Sequence, residues 1–103
     1  MAGQDRELID WDEASVVIEF ASNSRLVVSG STPIPMDVRL EPQNPGVAEP
    51  EYRRIDLVGY RREVAPEVIT PFETSTELNG VSGRRGVELV GKTKRERFPP
   101  RDR

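Results

Sequence analysis

Met36-Asp37-Val38-Arg39-Leu40-Glu41 alternates apolar and charged residues without a break, and this stretch decides the fold class. Successive side chains of a strand point to opposite faces, so the hexamer reads as a half-buried strand with Met36, Val38 and Leu40 turned inward. Upstream, Ala14 to Ala21 puts Val16, Ile18 and Phe20 on one parity and Val17 and Glu19 on the other. Arg25-Leu26-Val27-Val28-Ser29 is a second short run, and Ser22-Asn23-Ser24 between the two has turn chemistry, so a hairpin is expected. Gly30 to Pro35 is expected to break the chain, because Pro33 and Pro35 lack the amide hydrogens that a central ladder uses. A rival helix capped by Asp12 and running to Ala21 is rejected, because Val16-Val17-Ile18 would lose side-chain freedom against each preceding turn.

Downstream, Pro42 to Pro50 holds three prolines and a glycine and reads as a surface loop. Glu51 to Val64 is expected to be extended, with Ile55 and Leu57 on one face and a bulge at Gly59. If the register holds through Gly59, Arg54, Asp56 and Tyr60 share a polar, aromatic surface suited to recognition. Val64 to Phe72, with Pro66 and Pro71, crosses between edges or sheets. Thr74 to Leu78 leads into Asn79-Gly80, the strongest short hairpin signal, and Gly86 to Lys94 returns with Val87 and Leu89 on one face. Ile9 and Trp11 add an edge strand.

Valine and isoleucine number 17 against 11 for leucine and alanine, a ratio that suits pleated surfaces. With 103 residues there is room for one core. The expected fold is therefore all-β: a small antiparallel β-sandwich of about six to seven short strands, or alternatively a small closed or partly open β-barrel. Residues 1–93 form the β domain and residues 94–103 a basic, disordered tail. The expected core is Val16, Ile18, Phe20, Leu26, Val28, Val38, Leu40, Ile55, Leu57, Val87 and Leu89.

The chemistry is bounded by what the chain lacks. It has no cysteine and no histidine, which removes thiolate nucleophiles, the usual general base near neutral pH, catalytic triads and every thiolate or imidazole metal site. Asp10-Trp11-Asp12-Glu13 clusters three carboxylates, but without the alternating ligands and turning glycine of a calcium loop. No catalytic residue, cofactor or metal is expected. Residues 1–83 carry 7 basic and 15 acidic side chains, and residues 84–103 carry 8 and 3. That asymmetry marks Arg84 and Arg85, between glycines, with Lys92 and Lys94, as candidate anion-binding residues. Pro33, Ile34 and Pro35, together with Pro45, Gly46 and Val47, are candidate protein-contact loops, since proline loops lose little entropy on docking.

These readings favour a non-enzymatic protein-interaction or self-associating accessory domain, with a protein partner or a second copy of itself. The rival is an anion or nucleic-acid binder that uses the basic C-terminal strand and tail, against which the overall acidity weighs. The polar opening residues Met1 to Glu7 lack a signal-peptide core, and no apolar run is long enough to span a membrane, so the expected setting is cytoplasmic. Arginine outnumbers lysine 13 to 2, a bias that associates with a bacterial or phage source.

Overall fold

The computed structural model describes residues 6–18, 24–43, 51–62, 66–78 and 85–99. Among these the chain is all-β, with no helix. The strands are β1 (Arg6–Leu8), β2 (Glu13–Ile18), β3 (Ser24–Thr32), β4 (Met36–Pro42), β5 (Tyr52–Arg61), β6 (Thr70–Glu77), β7 (Gly86–Val90) and β8 (Arg95–Phe98). The β-branched run that argued against a helix lies in β2, which pairs antiparallel with β3 from Glu13 opposite Ser29 to Ile18 opposite Ser24. The expected hairpin therefore holds, although Glu19 to Asn23 lie outside the described residues. Eight described strands exceed the six or seven expected: β8 is a short addition, and the edge strand expected at Ile9 and Trp11 lies instead at Arg6–Leu8, as β1.

The strands form two sheets. The smaller runs β2-β3-β6, antiparallel throughout. The larger is built on β5. Gly59 pairs with Glu7 and with Val38, and Ile55 pairs with Pro42 and with Leu89, so β4 takes one edge of β5 while β1 and β7 share the other end to end. The Ile9 amide donates to the Leu57 carbonyl at 3.0 Å and bridges the junction between β1 and β7. β8 then pairs with β7. Because β5 and β7 run parallel, the all-antiparallel expectation is corrected. A strand that crosses from one sheet to the other before pairing is free to arrive in either direction, and β6 and β7 lie in different sheets. Hence the return expected after Asn79-Gly80 does not pair with β6; the two turn residues lie outside the described residues. Among the described residues the ladders do not close on themselves, so the closed-barrel alternative is set aside.

One core lies between the sheets. Leu26 and Val28 from the smaller sheet meet Ile55, Leu57, Val87 and Leu89 from the larger, all essentially fully buried. Ile9, Trp11, Met36 and Leu78 complete it, with Val16, Val38 and Leu40 half-buried against it. Ile18 was expected inside and is 45% exposed, because it is the last residue of an edge strand and overruns the core. Phe20 lies outside the described residues.

Two glycine readings change. Gly59 makes no bulge, since the ladder runs through it in register on both edges. A β-carbon there would stand 2.8 Å from Met36 Cε, so the glycine makes room for Met36 instead. The break expected from Gly30 begins only at Pro33, because β3 continues to Thr32 and the Phe72 ring lies over Gly30. Nor is the sequence after Lys94 wholly a tail. Arg95–Phe98 pair with β7, and Phe98 packs on the core. The alternation in Glu96-Arg97-Phe98 is too short to separate from a charged linker by pattern alone.

Candidate functional site

The outward face of the larger sheet follows from register. Inward Ile55 and Leu57 put Arg54, Asp56, Val58 and Tyr60 on the opposite side of β5. Residues opposite one another share a face, so Arg39 and Glu41 of β4, Arg6 of β1, Glu88 and Val90 of β7, and Arg95 and Arg97 of β8 stand there too. Val58 and Val90 are buried yet belong to no part of the inter-sheet core. Leu8 and Arg39 stand opposite Val58 on this face and Arg95 stands opposite Val90, and long charged side chains such as these arginines shield apolar surface with their stems while the charged heads stay wet.

Asp56 is the fixed point of this layer. Its carboxylate, with a side chain 4% exposed, takes Arg54 Nε on Oδ1 at 2.6 Å and Arg6 Nη2 on Oδ2 at 3.2 Å. Arg6 Nε donates to Glu41 Oε1 at 3.1 Å, and the Tyr60 hydroxyl donates to Glu41 Oε2. The bond to Glu41 foremost, with burial and the Glu41 charge behind it, pushes the Tyr60 phenol above its ordinary value. Burial draws the Arg6 guanidinium down, but bonds to Glu41, Asp56 and Tyr60 outweigh it and leave it raised.

Both tyrosines also carry a guanidinium on the ring. Arg39 Cζ lies 5.3 Å from the Tyr60 ring centre, and Arg97 Cζ lies 4.4 Å from that of Tyr52. Arg95 and Arg97 approach Glu88 Oε2 at 3.9 and 3.7 Å, so two cations share one carboxylate. Arg62 reaches Asp37 at 3.3 Å. The face thus presents six arginines (6, 39, 54, 62, 95 and 97) against four carboxylates (37, 41, 56 and 88), with two tyrosines.

The residues marked in the sequence fare unevenly. Arg54, Asp56 and Tyr60 do share a face, but Asp56 is buried beneath its arginines instead of exposed with them. Arg85 precedes β7 while Lys92 and Lys94 follow it, so the strand separates the candidate anion residues instead of gathering them. The Arg85 amide is spent on the Glu51 carbonyl at 2.6 Å. Lys94 lies over the Trp11 ring, and Arg84 lies outside the described residues. In the candidate contact loops Pro33 is exposed, but Ile34 packs against the core and gives its carbonyl to Thr32 Oγ1. Pro45, Gly46 and Val47 lie outside the described residues. Of the acidic cluster, Asp10 accepts the Thr93 amide at 2.9 Å and the Thr93 hydroxyl. Burial raises its carboxyl, but the Thr93 and Lys92 bonds prevail and hold it below the ordinary aspartate value.

Arg6, Arg39, Glu41 and Tyr52 were missed by sequence reasoning, and Arg95 and Arg97 were read as part of a basic tail and not as members of a sheet face. Their signal was parity, which identifies a face only when the strand partners are known.

The outer face of the smaller sheet has the opposite character. A depression of about 520 Å³ there is lined by Asp12, Glu13, Glu73, Ser15, Val27 and Ser29, with Glu96 reaching it from β8 of the larger sheet, and none of its lining residues is basic or aromatic. Among the described residues, no group of three acidic side chains is placed to hold a metal ion, and no helix is long and apolar enough to cross a membrane. Comparison of the chain with known protein families, with curated proteins and with solved structures finds no match.

Proposed function

We propose that the chain is a non-enzymatic binding domain, a small β-sandwich acting by protein contact through the arginine and tyrosine face of its larger sheet. The observation that carries this reading is the fixing of that face: Asp56, Glu41 and Glu88 hold guanidiniums in place, and two of the arginines are stacked on tyrosine rings. Arginine and tyrosine dominate binding energy at protein interfaces, and side chains already ordered lose less entropy on docking. The surplus of guanidinium over carboxylate selects a partner surface rich in carboxylates. The lack of histidine and cysteine supports a role outside catalysis, the cysteine-free composition fits a cytoplasmic setting, and the excess of arginine over lysine fits a bacterium or its phage.

A second reading, polyanion or nucleic-acid binding, is favoured by one observation. β8 brings Arg95 and Arg97 alongside Tyr52 and Glu88, and Arg101 and Arg103 follow in sequence. Titration with a glutamate-rich peptide and with a single-stranded oligonucleotide, in one buffer at physiological salt, tests the two together. The protein-contact reading expects the peptide to bind in a salt-dependent way and Arg39→Ala with Arg97→Ala to abolish that binding. It expects the oligonucleotide to bind no tighter than about tens of micromolar, as a non-specific basic segment would. Submicromolar oligonucleotide binding, or peptide binding indifferent to both substitutions, overturns it.

A further inference from the structure

Sheet edges expose unpaired backbone donors and acceptors, and soluble proteins protect them with charges, prolines or cover. Four of the edges described here carry such protection. β1 has Arg6 and Glu7; β4 has Asp37, Arg39 and Glu41, with Pro42 at its end; β6 has Pro71, Glu73 and Glu77; β8 has Arg95, Glu96 and Arg97 and stops before Pro99. β2 is different. Among the described residues it pairs only with β3, and from Ala14 to Ile18 it contains no charge and no proline. Val17 and Ile18 are 42% and 45% exposed, although β-branched residues of this kind form the core elsewhere.

We propose that β2 pairs antiparallel with β2 of a second copy about a two-fold axis, joining two three-stranded sheets into one of six strands. The occupant is argued from the strand itself. An antiparallel two-fold sets each residue opposite one on the same face, so β2 must be complementary to its own reverse. With Val16 on the axis, Val17 meets the partner's Ser15 and Ile18 meets the partner's Ala14. Small side chains in the first half of the strand receive the large ones of the second half, on both sides of the axis. Within Ala14 to Ile18 neither copy brings a charge into the pairing, and Glu13, the charged residue of β2, stands at its rim, where water reaches it. This pairing uses the smaller sheet and is independent of the binding face on the larger one.

Sedimentation of the full chain across micromolar to millimolar concentration tests it, with circular dichroism and melting temperature as checks on folding. The parent is expected to sediment as two chains. Val17→Lys places a charge on the bare edge where the side chain is already exposed, and is expected to halve the mass with melting of the monomer preserved; Ile18→Lys serves in its place if the first variant fails to fold. Because the chain has no cysteine, single thiols report the register. Val16→Cys is expected to cross-link between copies on mild oxidation, and Ile18→Cys, about four residues from its counterpart (roughly 13 Å at strand rise), is not. A parent of one-chain mass throughout overturns the proposal. So does a dimer that survives the lysine variants, or equal cross-linking at the two positions.

Discussion

Lys94 donates to the Trp11 carbonyl at 2.9 Å and holds its ammonium 4.7 Å from the Trp11 ring, joining residues 83 apart in sequence. One residue on, β8 begins and covers the outer edge of β7. The segment from Lys94 therefore belongs to the folded body. Deleting Lys94 to Arg103 is expected to lower the melting temperature by several degrees, through loss of the Phe98 packing, the β7–β8 ladder and the Trp11 contact. Burial of even part of one aromatic ring accounts for about 1–2 kcal/mol of this. Thermal denaturation of the truncated chain checks it; a truncated chain melting with the parent would mean that β8 contributes nothing to stability.

Asp56 supports an asymmetric prediction. Removing Arg6 or Arg54 alone leaves the buried carboxylate one cationic partner, and each alanine variant is expected to cost about 1–2 kcal/mol. Removing both leaves the carboxylate with no cation but opens it to water, so the double variant is expected to cost about 2–4 kcal/mol, any excess over the sum of the two being their coupling through Asp56. Urea denaturation of the four members of this double-mutant cycle measures the excess.

The core and the edge of β2 should respond differently to the same chemistry. Leu57→Ala deletes a fully buried side chain on the central strand and is expected to cost about 2–5 kcal/mol. Ile18→Ala removes a side chain already largely in water and should fall within about 0.5 kcal/mol of the parent, measured on the dissociated chain.

Gly86 admits no substitute. Its φ is 127°, and a β-carbon would fall 1.9 Å from the Phe98 carbonyl oxygen. Gly86→Ala is therefore expected to detach β8, and hydrogen exchange at the amides of Arg95–Phe98 should rise far more than at β4.

The carboxyl of Asp10 is held below its ordinary value in the fold, so it stabilises the folded chain above about pH 4 and loses that effect as pH falls through the lowered value. Asp10→Asn should melt below the parent near neutrality, and the gap should close as the solution is taken to about pH 3 or lower. A gap that widens with acid would assign the stabilisation elsewhere.

Local alternation carried most of the fold. The Met36 to Glu41 pattern placed β4 and its inward side correctly, and the turn chemistry at Ser22-Asn23-Ser24 placed the β2–β3 pairing. What the pattern could not carry was partnership between distant strands. Parallel pairing of β5 with β7, and the sharing of one edge by β1 and β7, depend on contacts between segments far apart in sequence, which no local period records. The binding face shows the same division. Arg54, Asp56 and Tyr60 were legible because they alternate on one strand, whereas Arg6, Arg39 and Arg97 joined them only through register. Burial of Asp56 was illegible for a related reason: its cover comes from neighbouring strands.

The shared edge of β5 also dictates an order of events during synthesis. β4 and β5 can pair as soon as Arg61 has emerged, and β1 waits from the start, but half of that edge stays open until Gly86 to Val90 arrive. Through that interval the central strand offers unsatisfied amides and carbonyls beside Ile55, the very surface on which another nascent chain could template. Closing it requires a long-range parallel addition, the slow class of step, on the order of milliseconds to seconds. The later of the described strands are thus the ones that seal the sheet, and a ribosome stalled before Val90 would hold a body already collapsed on one side and adhesive on the other.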